Sequence, residues 1–260
     1  MKNKNQILID NNELLKIIQK SINNNTPLSV IRKGDGENVI IGFNVIHGIK
    51  IIKYLRKLRH FNIRLFNLKF QKFLKKELVK SFLNADYLGV AKDHSYSSIR
   101  KFDKSISQYY KFNTKNFVDS HFHLEFVKNP NNHDLINENA QKIISNKNIG
   151  LISHKNIKSF LNYHNSKLIV QYHLPQRDAG PFNKMDFKKY YNIIEGIEKN
   201  NQNVDIWLLA AGPYAKLFSN YIKIIGGIGL DLGSAVDTWA GEYHSRKYLR
   251  EIFDKKSLKN

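Results

Sequence analysis

Apolar positions along this chain alternate between helical spacing and short continuous runs. Between Asn11 and Ile22, Leu14, Ile18 and Ile22 recur on one stripe, which predicts an opening helix. Thr26-Pro27 closes the linker behind it, and Leu28-Ser-Val-Ile31 reads as a buried strand. Further apolar runs predict strands at Ala85–Ala91, Asn148–His154, Lys167–Tyr172, Val204–Ala211 and Gly227–Gly233. Helical patterns cover Phe187–Lys199 and the residues from Pro213 to Ile222, and a basic helix is expected from Glu242 onward. Strands that alternate with helices predict an α/β, Rossmann-like fold: a mostly parallel sheet with helices on both faces. Ligands of such sheets bind beyond the carboxyl ends of the strands, where polar turns such as Lys92–Ser98 would gather. The span from Lys101 to Asn139 is the least legible, and Phe117–Val127 reads either as a strand or as part of an active-site insertion. The 260 residues are expected to form one domain, with room for an insertion at 101–139.

The first predicted strand ends in the most informative stretch, Arg32-Lys-Gly-Asp-Gly-Glu37. Gly34 and Gly36 permit a sharp turn, and Asn38–Phe43 reads as the start of a helix. Unpaired N–H groups at a helix start suit a phosphate. Asp35 and Glu37 would repel that phosphate unless a divalent cation lay between them, and hard oxygen ligands suit Mg²⁺ or Mn²⁺. Arg32 would either fork onto a phosphate or hold one of the acids. The competing reading is ordinary turn chemistry, with Asp35 capping the helix and Glu37 favourable in its first turn.

Charge changes the picture next. The chain carries a formal net charge of +20, and residues 50–80 hold eleven basic side chains against one acid, Glu77. Ile51, Leu55 and Leu58, then Phe66, Phe70, Leu74 and Leu78, keep helical spacing through this segment. One or two basic amphipathic helices are expected, with three outlets for the charge: an anionic membrane face, nucleic acid, or a phosphate-bearing substrate. Hydrophobic residues make up 42% of the chain, which makes it globular. The absence of Cys excludes a disulfide framework, a thiolate metal site and a cysteine nucleophile, and agrees with a reducing cytoplasm. No apolar run is long enough to span a bilayer, and Met1-Lys-Asn-Lys-Asn5 begins no secretory signal.

A second turn of the same type is Ala210-Ala-Gly-Pro-Tyr-Ala-Lys216. Gly212 and Pro213 would start a helix with amides free for an anion, and Lys216 would reach a phosphate. Asp231 stands at the end of the last strand, and Asp237, Glu242 and His244 are candidates for a catalytic base or an acceptor-binding acid. His121-Phe-His123 would place two rings on one strand face, but without cysteines or a His-Glu-x-x-His pattern the case for zinc is weak. The chain has no Gly-x-Gly-x-x-Gly, no P-loop and no Gly-x-Ser-x-Gly elbow, which argues against dinucleotide oxidoreductases, P-loop phosphotransferases and serine hydrolases.

Ser29–Glu37 resembles the N-terminal signature of bacterial GT-D-type glycosyltransferases, a family once described as a domain of unknown function. Ile149–His154, Val170–Pro175, Trp207–Lys216 and Gly229–Asp237 match its later blocks in order. The resemblance implies a Rossmann-like fold and transfer of a hexose from a nucleotide-diphosphate donor, UDP by preference. It also implies a divalent metal, Mn²⁺ or Mg²⁺, at an Asp-x-Glu element occupied here by Asp35 and Glu37. On this reading Arg32, Gly34, Gly36, Gly212, Pro213, Lys216 and Asp231 complete the donor site. Acceptors in such a family are glycans, lipid-linked sugars or glycoproteins of the cell surface, so the basic helices would suit the inner membrane face. The other readings are an S-adenosylmethionine-dependent methyltransferase, with Gly34-Asp-Gly36 as its cofactor turn, and a nucleic-acid-binding module. The latter is disfavoured because the basic residues are not interleaved with exposed aromatics.

Overall fold

The structure is a computed structural model and describes residues 8–91, 97–112, 116–127, 137–175, 184–243, 245–246, 248–251 and 253. Its strands are β1 (Leu28–Arg32), β2 (Tyr87–Val90), β3 (Phe117–Asp119), β4 (Asn148–Ile152), β5 (Lys167–Tyr172), β6 (Ile206–Leu209) and β7 (Ile228–Asp231). All pair in parallel, in the order β3-β2-β1-β7-β6-β4-β5. The N-terminal strands therefore meet the C-terminal ones at the β1–β7 pair, where Val30 faces Leu230. Every carboxyl end lies on the same side of the sheet.

The helices are α1 (Asn11–Asn23), α2 (Asp35–Gly42), α3 (Ile51–His60), α4 (Leu68–Asn84), α5 (Ser97–Tyr109), α6 (Glu138–Ile144), α7 (Lys158–Tyr163), α8 (Phe187–Asn200), α9 (Tyr214–Ile224) and α10 (Ser234–Trp239). Successive strand residues point to opposite faces, so each strand feeds two cores. Ile31, Leu88, Trp207 and Leu209 face a layer that includes Phe70, Leu74, Ile194 and Phe218. Val30, Ile149, Leu151, Ile206, Leu208 and Leu230 face the other, with Leu14, Ile18, Phe160 and Trp239. Burial on both faces explains why these strands read as unbroken apolar runs. Gly150 makes room for its cross-strand partner Trp207, whose ring lies 2.4 Å from where a Cβ at 150 would stand.

Several elements depart from the sequence reading. The helix after β1 begins at Asp35, so the glycine-acid stretch is its first turn and not a loop before it. Part of the span 101–139 belongs to the sheet: β3 pairs with β2 at its edge, and Phe122–Phe126 form a 3-10 turn. His121 and His123 therefore follow a strand instead of sharing one face of it. A short helix, α10, occupies Ser234–Trp239, between the predicted last strand and the predicted basic helix, where no element is predicted. The apolar stripe of the basic segment divides: Leu58, Phe70, Leu74 and Leu78 are buried, while Ile51, Leu55 and Phe66 are exposed. Of the polar loop Lys92–Ser98, residues 92–96 lie outside the described residues, as does most of the basic segment after Glu242. Among the described residues, no helix is long and apolar enough to cross a membrane.

Candidate functional site

Four charged side chains interlock at the carboxyl ends of β1 and β7. Asp231 accepts from the Arg32 backbone N–H at 3.2 Å and from Arg32 Nη2 at 3.1 Å. Lys216 Nζ lies 2.8 Å from Asp231 Oδ2, the oxygen that accepts from the Arg32 backbone N–H, and 3.0 Å from Glu37 Oε1, and donates to the Gly212 carbonyl. Burial opposes the Asp231 charge, but Arg32 and Lys216 outweigh it and hold the carboxyl below its usual range. Lys216 stands in the first turn of α9, where a cation opposes the helix dipole, and the two carboxylates offset that cost. Arg32 thus holds an acid, the second of the two roles open to it. The quartet is charge-balanced, so it acts as a frame and not as a cationic pocket.

Arg32 is also anchored from the side. Its Nη1 lies 2.9 Å from His123 Nδ1. Arginine only donates, so His123 Nδ1 accepts and the ring proton sits on Nε2, which faces the Tyr248 hydroxyl at 3.5 Å. Tyr248 in turn meets Ser234. Burial and the neighbouring Arg32 charge push the His123 pKa well below the usual imidazole range, so the ring is neutral. His123 enters the sequence reading only as a weak zinc candidate, and Tyr248 not at all; the structure sets both beside Arg32 instead.

The glycines serve close packing. Gly34 and Gly36 have no left-handed backbone; a Cβ at 34 would meet Glu37 Oε2 at 2.7 Å, and one at 36 would meet the Phe61 ring at 2.4 Å. The same ring lies 3.2 Å from the corresponding position of Gly212, so Phe61 bridges the two turns. Gly233, with φ of 48°, leaves the space that the Arg32 guanidinium fills. The second turn does not offer the free amides expected of it. Pro213 is the cap of α9, and the N–H groups of Tyr214, Ala215 and Lys216 donate to Ala211, Gly212 and Pro213. The first helical bond of α2 is Asn38 N–H to Gly34 carbonyl, so the amides of the preceding turn point past the helix end.

The two acids expected to share a metal are separated by their partners. Glu37 folds back over Gly34 onto Lys216 and is buried, whereas Asp35 is 52% exposed and pairs with Lys57 Nζ at 2.7 Å. Among the described residues, no three His, Asp or Glu side chains converge as a metal cage. This donor set fits one protein carboxylate, Asp35, with the other ligands supplied by phosphate and water, an arrangement common for Mg²⁺.

A second group lies past β4 and β7. Asp237, in α10, accepts from Ser245 Oγ at 3.0 Å, and Lys155 pairs with Glu242. Burial raises the Asp237 pKa, with Ser245 and Lys155 only partly offsetting it. His154 is lowered by burial and by Lys155, and it also feels the Asp237 and Glu242 charges. His244 lies outside the described residues.

A parallel sheet with its charged side chains gathered at the carboxyl ends of its central strands places the chain among Rossmann-like α/β proteins. The GT-D fold-like domain family matches residues 9–239, and the chain belongs to that family. Two solved structures share the fold over 92% of this chain and 80% of theirs, with a TM-score of 0.53 and identities of 17% and 18%. One is a selenomethionine-substituted domain of unknown function 1792; the other is described as that same domain with a distinct glycosyltransferase fold. No curated protein matches the chain.

Proposed function

We propose that this chain is a glycosyltransferase that moves a hexose from a UDP-sugar to a glycan, lipid-linked or glycoprotein acceptor. The observation that carries this reading is the buried Arg32–Asp231–Lys216–Glu37 frame beneath the first turn of α2, within a GT-D fold-like domain. The frame holds α2 and α9 against β1 and β7 and leaves the α2 amides, Asp35 and Lys57 at the rim. The donor diphosphate takes the amides and Lys57, and Asp35 binds a Mn²⁺ or Mg²⁺ ion carried with it. That ion supplies charge neutralisation for the departing nucleotide diphosphate. Asp237 accepts the proton of the acceptor hydroxyl as its oxygen bonds to the sugar carbon and the sugar–phosphate bond breaks. Glu242, paired with Lys155, and His244 remain the alternatives for that base.

The test is nucleotide release from a panel of nucleotide-sugars with Mn²⁺, compared with binding of S-adenosylmethionine. Release of UDP that is lost on chelation supports the assignment. Binding of S-adenosylmethionine without binding of any nucleotide-sugar overturns it.

A further inference from the structure

Five of the eleven large apolar side chains that stand exposed among the described residues lie between Ile51 and Leu68. Ile51, Ile52 and Leu55 occupy the N-terminal half of α3, and Phe66 and Leu68 stand where the chain turns into α4. Phe66 is 97% exposed, and an ordered turn holds it there. Gln71 Nε2 donates to the Arg64 and Leu65 carbonyls at 2.9 and 2.7 Å, and the Asn67 side chain caps α4 by accepting from Phe70 N–H. Leu65 packs against the core, while its neighbour Phe66 stands exposed. Isolated exposed apolar residues are ordinary, but a group of this size in one hydrogen-bonded segment marks a contact surface.

Its surroundings say what it contacts. Arg56, Arg59, Arg64, Lys69, Lys72 and Lys76 are exposed on the same segment, where Glu77 is the one acid between residues 50 and 80. Protein interfaces are depleted in lysine, and single-stranded nucleic acid needs a row of stacking aromatics, of which this segment exposes only Phe66. Apolar side chains ringed by lysine and arginine match an anionic lipid surface, with the former in the headgroup boundary and the latter against lipid phosphates.

We infer that the α3–α4 segment docks on an anionic bilayer through Phe66, Leu68 and the basic residues around them. The same segment contributes Lys57 and Phe61 to the rim of the candidate site, so docking sets that site at the lipid surface. The inference is independent of the proposed chemistry because vesicle binding is read without turnover.

The experiment is co-sedimentation of the full chain with phosphatidylcholine vesicles, with and without about one-third phosphatidylglycerol. Binding is expected only to the anionic vesicles, and it should weaken as salt shortens the screening length below about 8 Å. Phe66→Ser with Leu68→Ser, and separately Lys69→Glu with Lys72→Glu, should each weaken it by about tenfold or more. All four side chains are exposed, so melting temperature and UDP release should be unchanged. Absence of vesicle binding, or binding that both double variants leave intact, overturns the inference. So does a concentration-dependent dimer abolished by Phe66→Ser in a chain that ignores vesicles, or RNA binding in place of vesicle binding.

Discussion

Glu37 Oε1 and Lys216 Nζ lie 3.0 Å apart with both side chains almost wholly buried, joining the first turn of α2 to the first turn of α9. The pair separates two acids that the sequence places two residues apart. Removing Glu37 leaves the buried frame with one excess positive charge. Because Lys216 keeps Asp231, the cost falls below that of a fully stranded charge, about 3–5 kcal/mol, yet above that of an exposed pair, about 0–1 kcal/mol. Glu37→Gln is therefore expected to lower the melting temperature by several degrees and to weaken donor binding with it. Asp35→Asn should leave the melt unchanged and raise the Mn²⁺ concentration needed for UDP release. Calorimetry and a Mn²⁺ titration of both variants check this; equal stability loss in the two would refute the division of roles.

Gly233→Ala tests the frame from the other side. A Cβ there would stand 1.9 Å from Arg32 Nη2, on a residue whose φ of 48° already disfavours side chains. The guanidinium must move, loosening its bonds to Asp231 and His123. A loss of about 2–4 kcal/mol is expected, combining backbone strain with the disturbed buried pair. Denaturant unfolding reads it directly. Gly226→Ala is the control, with the same sign of φ but no atoms within 4 Å, and it should lose only the backbone share.

Much of this frame was legible in the sequence, though its wiring was not. Arg32, Glu37, Lys216 and Asp231 each stand where a buried run meets a turn, and that position marks them. Nothing in spacing alone says that Lys216 reaches across to Glu37 or that Arg32 chooses Asp231. The role of His123 was not legible because it lies in a five-residue 3-10 turn after the three-residue strand β3, and neither gives a periodic signal. The six residues of α10 are likewise too few for a helical pattern to show. In α3 the spacing of Ile51, Leu55 and Leu58 groups them on one helical stripe, but periodicity cannot say which members of a stripe the core will cover.

His123 makes stability depend on pH. Its folded pKa is held well below 6.5, so on acidification the unfolded chain takes up a proton that the folded chain refuses. The stabilisation is complete above pH 6.5 and is lost as pH falls from there toward the folded pKa. His154 and His164 are lowered as well and add to the same slope. His123→Gln is expected to be less stable at pH 7.5, having disturbed the Arg32 contact. Its stability should also fall less steeply between pH 6.5 and 5, by up to one proton or about 1.4 kcal/mol per pH unit. Melts across that range in both proteins measure the difference in slope.

Asp237 gives the opposite sign. Burial raises its pKa, so its ionisation costs stability as pH climbs from the ordinary carboxylate range through the raised value. Asp237→Asn is therefore expected to be at least as stable as the parent at pH 7.5. As the proposed base, the same change should lower kcat by about 10²–10⁴-fold. Ser245 supplies a milder probe: its hydroxyl donates to Asp237 Oδ2 at 3.0 Å and pulls the pKa down. Ser245→Ala should move the acid limb of the kcat/KM profile to higher pH while leaving the plateau near its parent value. A variant that lost stability without shifting that limb would mark Asp237 as a structural residue and return the base to Glu242 or His244.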